Sequence, residues 1–171
     1  IDSAGTLNTG AYEVYGFLND VSGNFEYFHN SVYLGGTPAS GAAVTACIRM
    51  NGTPTGTNIN DIRNNIFVNA TSNGVSATGK NYALRFTGFP TNAASLISNY
   101  NILQATGTGG FIGGTNLIDY TTLGGLSGWA RNTAYDLQSG SANPQFVNPT
   151  SDATSVDLHL QLTNPAETGG D

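Results

Sequence analysis

The sequence predicts an all-β fold, a right-handed parallel β-helix (solenoid) with three short strands in each coil. Three observations carry that expectation. The first is a stretch that returns: NFEYFHNSVYL, Asn24 to Leu34, comes back as NINDIRNNIFV, Asn58 to Val68, and more weakly as AASLISNYNILQ, Ala93 to Gln104. Aligned on their aliphatic residues, Val32, Ile66 and Ile102 lie 34 and 36 positions apart, and a near-constant period of that size marks stacked repeats. The second is composition. Charged residues make up only 9% and glycines number 23, against about 25% charged in ordinary soluble domains. Eight Phe and eight Tyr in alternating runs separate the chain from a polar disordered linker, and suit short strands joined by Gly, Asn and Thr turns. The third is that the second and third copies each follow another strand-like run, AVTACIRM and NYALRF.

Taken in order, AYEVYGFL, Ala11 to Leu18, is the leading strand of the first repeat, and NDVSG turns the chain. Strands follow at about Phe25–Phe28 and Val32–Leu34, with His29-Asn30-Ser31 bending the chain between them. GGTPASG is a loop, AVTACIRM a strand, NGTPTGTN a loop, and the second copy repeats the pattern as Ile59–Ile62 and Ile66–Asn69. NYALRF takes the place of AVTACIRM before the third copy. The repeats are bounded at 11–42, 43–80 and 81–114, within a single domain over 1–171. The hairpin-type pairs Asn51-Gly52 and Asn73-Gly74 would suit an antiparallel sandwich, but they lie in long Thr-rich loops rather than in two-residue links. From 115 to 171 the alternation breaks. Thr122 to Thr133, with Leu123, Leu126 and Trp129 at helical spacing among three glycines, reads as a turn or two of helix in a cap-like segment near 115–136. SANPQFVNP and VDLHLQL then resume strand character.

One repeat alone cannot bury its apolar side, whereas coils stacked about 4.8 Å apart can. Inward positions should then form ladders of like residues. The alignment gives Val32, Ile66 and Ile102 as one ladder and Phe28 with Ile62 as another. Asn30 and Asn64 fall at the corner, where stacked amides can bond along the axis; Tyr100 takes that slot in the third copy.

The net charge of −6 with five Lys plus Arg argues against nucleic acid and against anionic membrane surfaces. No apolar run approaches the ~20 residues of a membrane span. Cys47, the only cysteine, sits in an apolar strand and reads as a buried thiol with no internal disulfide. Polysaccharide-cutting enzymes need clustered acids and bases on one face. The same alignment puts Glu26 over Asn60, His29 over Arg63, and Asp61 opposite Tyr27. Glu26, Tyr27, His29, Asp61 and Arg63 are therefore the candidate glycan- or partner-contacting residues, with no two acids stacked and no catalytic residue assigned. Asp119, Asp136, Asp152 and Asp157 read as loop acids. No calcium loop motif is present and no cofactor is expected; structural calcium stays open as an alternative that no motif supports. His159 should point outward, and Trp129 should pack in the cap. Asn51-Gly52-Thr53, Asn69-Ala70-Thr71 and Asp2-Ser3-Ala4 match short glycosylation patterns.

The stretches HNSVYLGG, RNNIFVN, SNYNILQ, TTLGGLSGWARNTAYDLQSGSANPQFVNP and DLHLQLTNPAETGGD together resemble, in this order, β-helix modules of large secreted proteins of Bacteroidetes-type bacteria. The resemblance covers roughly residues 24 to 171 and is most specific in the tail; Asn143 and Glu167-Thr168-Gly169 depart from the acidic residue and the Asp-Ala-Gly that are usual there. It implies a non-catalytic structural or adhesive module, a piece of a larger cell-surface or extracellular protein. Its expected partners are neighbouring domains, identical subunits stacking at the ends into a filament, or polysaccharide. A polysaccharide lyase or glycosidase is the alternative. Ice binding ranks last, because the threonines sit in irregular loops.

Overall fold

A computed structural model describes residues 13–52, 57–88, 93–150 and 154–161. The strands are β1 (Val14–Asn19), β2 (Phe25–Phe28), β3 (Ser31–Leu34), β4 (Ser40–Gly41), β5 (Val44–Met50), β6 (Asn60–Arg63), β7 (Ile66–Asn69), β8 (Ser76–Ala77), β9 (Lys80–Phe86), β10 (Leu96–Asn99), β11 (Ile102–Ala105), β12 (Gly110–Gly114), β13 (Asp119–Tyr120), β14 (Phe146–Asn148) and β15 (Asp157–Leu160). A 3-10 turn at Ala93–Ser95 precedes β10, and a single five-residue helix, α1, spans Trp129–Thr133.

The expectation of a right-handed parallel β-helix with three strands per coil is corrected by the strand pairing. The chain is mainly β, but its strands form several small sheets, parallel and mixed, and no closed solenoid is found among the described residues. The sheet orders are β1-β5-β9-β12-β13, β10-β6-β2, β11-β7-β3, β4-β8 and β14-β15. Two physical features break the regular scheme. GGTPASG and the loop before Lys80 contribute an extra parallel pair, β4 with β8. Beyond β12 the chain doubles back, so β13 runs antiparallel to β12, and β14 runs antiparallel to β15.

Within the three larger sheets, strands from successive copies pair in parallel. Phe17, Ile48 and Leu84 are mutual neighbours across β1, β5 and β9, and Gly113 of β12 follows them. Val32, Phe67 and Leu103 are neighbours across β3, β7 and β11. These rows supply the core, in which Ile48, Ile62, Phe67, Leu84, Phe86 and Leu103 are almost fully enclosed. Cys47 is also enclosed there, and burial pushes its thiol well above the ordinary range.

The register differs by one residue from the sequence alignment. Val32 lies beside Phe67 rather than Ile66; Ile66 and Ile102 are neighbours as aligned, both half-buried, and Ile66 has Ser31 on its other side. Ile62 is inward as expected, but its neighbours are Tyr27 and Ser98, while Phe28 faces out at 36% exposure beside Arg63. The second and third copies keep the aligned register, so the slip lies between the first copy and the second. The corner explains the slip. His29, Asn64 and Tyr100 all adopt left-handed backbone, with φ of 56°, 58° and 55°, a conformation that Asn tolerates better than most residues. Asn64 is therefore the exposed bend residue that aligns with His29, and the asparagine after it is the buried one.

That second asparagine builds an internal ladder. The backbone N–H and side-chain amide of Asn30 both donate to Asn65 Oδ1, each at 3.0 Å. The backbone N–H of Asn65 donates to Asn101 Oδ1 at 2.9 Å, and that of Asn101 donates to Ser139 Oγ at 2.9 Å. Asn65 Nδ2 also donates to the carbonyls of Tyr27 and Arg63 at 2.8 and 3.0 Å. The amides thus occupy the backbone groups that the bend strips of partners.

The ladder ends on Asp136, which is buried and has φ of 56°. Its Oδ1 accepts from Asn101 Nδ2 at 2.9 Å and Ser139 Oγ at 2.8 Å; its Oδ2 accepts from Ser98 Oγ and Trp129 Nε1, both at 2.8 Å. Trp129 begins α1, stacks on Phe86 at 5.8 Å and meets Tyr120 edge-on at 5.5 Å. Gly113 makes room for it: a Cβ there would lie 2.5 Å from Trp129 Cε3. Leu126, expected on the same helical face as Trp129, lies outside α1 and is 77% exposed.

Candidate functional site

Strand alternation decides what the β2-β6-β10 sheet shows to solvent. Phe25, Tyr27, Asn60, Ile62, Leu96 and Ser98 point inward, and the residues between them point out. One outward row is Glu26, Asp61 and Ile97; the next is Phe28, Arg63 and Asn99, followed by the corner residues His29, Asn64 and Tyr100. Four of the five sequence candidates, Glu26, His29, Asp61 and Arg63, therefore share this face. Tyr27 does not. It is half-buried against the core, with its ring 5.3 Å from that of Phe17, and burial raises its phenol above the usual range.

The one-residue shift also changes the acid pattern. Glu26 and Asp61 are direct neighbours on adjacent strands, so two acids do stack, contrary to the sequence alignment. They are not equivalent. Asp61 is only 9% exposed and is held in bidentate fashion by Arg63, whose Nε and Nη2 each lie 2.7 Å from a different carboxylate oxygen. Those hydrogen bonds hold the Arg63 guanidinium above even its ordinary range, and the fields of Tyr100 and Glu26 add to this. Arg63 also lies 5.5 Å over the Phe28 ring. Glu26 is exposed. The face thus presents one open carboxylate, a cation neutralised by its neighbour, and the aromatic edges of Phe28 and Tyr100.

Other charged groups are similarly engaged. Lys80 Nζ is 2.5 Å from Asp119 Oδ2, and the Tyr82 hydroxyl donates to Asp119 Oδ1 at 2.7 Å. Burial opposes ionisation of Asp119, but Lys80 and Tyr82 outweigh it and hold its carboxyl below the usual range. Asp157 pairs with exposed His159 at 2.6 Å, which places His159 outward. Asp152, Asp2-Ser3-Ala4 and Thr53 lie outside the described residues. Among the described residues, no three His, Cys, Asp or Glu side chains converge on one point.

A second feature was not anticipated from the sequence. On the outer side of β3-β7-β11, Tyr33, Val68 and Gln104 form a row of neighbours. The segment from Asn143 to Pro149 and Gln161 face that row across a groove of about 320 Å³. Phe146 meets Tyr33 edge-on at 6.4 Å and 81°, and burial raises the Tyr33 phenol. Gly35 lets the ring lie flat, since a Cβ there would come within 3.1 Å of Tyr33 Cε1. The signal available in the sequence was the period-two position after Val32, Phe67 and Leu103, but nothing there announces that residues over a hundred positions on will close over it.

Comparison with protein-family models, with curated proteins and with solved structures finds no match to this chain.

Proposed function

We propose that the chain is a non-catalytic structural or adhesive module of an exported bacterial protein, contacting polysaccharide through its side faces. One observation carries the non-catalytic part: Asp61, the acid beside Glu26, has both oxygens engaged by Arg63. Glycoside hydrolysis needs two carboxyl groups free to act as acid and as base or nucleophile. A carboxylate clamped by a guanidinium is a poor base, and its partner Glu26 stands exposed. What remains suits binding, because hydroxyl-rich ligands are held by mixed polar groups beside aromatic edges. The asparagine ladder supports the structural part, since each amide ties one copy of the repeat to the next.

The test is incubation of the purified chain with a panel of plant, algal and bacterial polysaccharides, followed by affinity electrophoresis and by assays for new reducing ends and unsaturated products. The expected result is retarded migration on at least one polysaccharide with no product. Product formation that disappears in a Glu26→Gln/Asp61→Asn variant would overturn the reading and favour the enzyme. A second reading, self-assembly, is favoured by the sheet orders: among the described residues β1, β2 and β3 are all edge strands, and unpaired edges are templates for another chain. Sedimentation over a range of protein concentrations, showing a single monomeric species throughout, would remove it.

A further inference from the structure

We propose that the groove between the outer side of β3-β7-β11 and the Asn143–Pro149 segment is a binding site for a neutral glycan. Tyr33 is its stacking surface, and the amides of Gln104, Asn143 and Gln145 are its hydroxyl-binding groups. The proposal deepens the adhesive reading and rests on it, but it concerns a different face from Glu26, Asp61 and Arg63.

The lining selects the ligand. Among the described residues, none that bounds the groove carries a charge. A uronate, a sulfated sugar or a phosphate would find no counter-charge there, and the chain's net charge of −6 would oppose it. An ammonium ligand would equally lack a carboxylate. A wholly apolar ligand would leave the amides unpaired on binding. What fits is a ligand of neutral hydroxyls with an apolar ring face.

The polar groups are available for that ligand. The side-chain amides of Gln104 and Gln145 and the Tyr33 hydroxyl make no hydrogen bond to any described residue. Asn143 uses its Oδ1 to accept from the backbone N–H of Gln145 at 2.9 Å, which leaves its Nδ2. An amide offers an acceptor and two donors in one plane, the combination that a pair of adjacent sugar hydroxyls can meet at once. A peptide strand would instead be gripped by a row of backbone N–H and C=O groups, and here side chains do the presenting.

The site is also set in place before any ligand arrives. Gln145 holds left-handed backbone at φ 53°, fixed on one side by Asn143 and on the other by the N–H of Gln161, which donates to its carbonyl at 3.1 Å. Pro144 and Pro149 stiffen the same segment. Phe146 is buried and props the Tyr33 ring from the side. Preorganisation of this kind reduces the entropy lost on binding. The volume of about 320 Å³ lies at the small end of ligand clefts, which suits one or two sugar rings of a longer chain passing over the surface.

The experiment is calorimetric titration of the intact chain with neutral hexa-saccharides of the cellulose, xylan, mannan and starch types, with oligogalacturonate as the charged comparison. One neutral series should bind with Kd below about 1 mM, with no loss of affinity at high salt. Tyr33→Ala should weaken that binding by about tenfold, and Gln104→Leu should weaken it several-fold. Should Tyr33→Ala fail to fold, Gln104→Leu combined with Gln145→Leu decides the matter, because both side chains sit at the groove rim and bond to nothing described. Absence of binding by every neutral series overturns the proposal, as does binding that these variants leave intact. Salt-sensitive binding of oligogalacturonate that Arg63→Ala abolishes also overturns it, while keeping the adhesive reading and moving the contact to the charged face. Retarded migration on a neutral polysaccharide that the groove variants leave unchanged would separate failure of this site from failure of the adhesive reading.

Discussion

Replacing Asp136 by Ala tests whether the asparagine ladder and the Trp129 cap are one cooperative structure. Asp136 is buried and accepts four hydrogen bonds. Two of the donors can adapt. Ser98 and Ser139 donate through hydroxyls that rotate freely to seek another acceptor, and Ser139 Oγ keeps the backbone N–H of Asn101 that it accepts. Trp129 Nε1 and Asn101 Nδ2 lose a charged acceptor, although Asn101 Nδ2 keeps the carbonyl of Ile62 at 2.9 Å. A hydrogen bond to a charged group contributes about 1.5–3 kcal/mol, and two neutral donors, Trp129 Nε1 and Asn101 Nδ2, each lose one. The expected loss for Asp136→Ala is therefore roughly 3–6 kcal/mol, a large share of the ~5–15 kcal/mol typical of a folded domain. Asp136→Asn keeps one oxygen, which should turn to the donor-only indole, so its loss should be roughly half as large. Trp129 is the only tryptophan, so its fluorescence reports on this site while far-ultraviolet circular dichroism reports on the strands. Urea unfolding followed by both probes, with Trp129→Phe completing a double-mutant cycle, gives the coupling. A loss below about 1 kcal/mol for Asp136→Ala, or a cycle coupling near zero, would refute the reasoning.

Gly113→Ala should destabilise by about 1–3 kcal/mol, because its Cβ would press into the Trp129 ring plane; thermal unfolding measures it, and a neutral result would mean that the ring can move aside. Asn60→Leu should raise stability by about 1–2 kcal/mol: Asn60 points inward between Phe25 and Leu96, its buried Oδ1 has no partner among the described residues, and an apolar side chain of similar size removes that cost. Tyr15 is pushed up to about 12, mainly by burial, and Tyr82 higher still, so both are neutral in the fold at pH values where the unfolded chain begins to ionise. Their folded values lie above the unfolded value near 10, so this stability is complete below pH ~10 and drains away as pH rises towards 12. Urea midpoints that stay level across that range would contradict it. The Cys47 thiol should react with a thiol reagent only at the rate of global opening, and at once in denaturant, since it is fully enclosed.

The alternating runs and the recurring stretch were enough to place nearly every strand in the first three copies, because strand formation follows local alternation. Register is another matter. A slip of one residue turns every side chain to the opposite face, and that slip is what separated Asn30-Asn64-Tyr100 in the alignment from the ladder Asn30-Asn65-Asn101 in the fold. A run of two asparagines in RNN offers two alignments, and only the left-handed φ of Asn64 shows which one bends the chain. The same slip moved Phe28 out of the core, moved Tyr27 into it, and brought Glu26 beside Asp61. Asp136 was legible only as a loop acid, because its four partners come from segments up to 38 positions away.

What the sequence determined by itself is what depends on neighbours along the chain: mainly β structure, the repeat near 35 residues and an enclosed Cys47. The tertiary structure decided what depends on pairing across the chain. It divided the strands among several parallel and mixed sheets in place of a regular coil, and it chose which asparagine is buried. It also clamped Asp61 with Arg63, and it laid Asn143 to Phe146 over Tyr33 to make a groove. Hydrogen-bond satisfaction at bends and closure between distant segments are long-range conditions, and no local pattern encodes them.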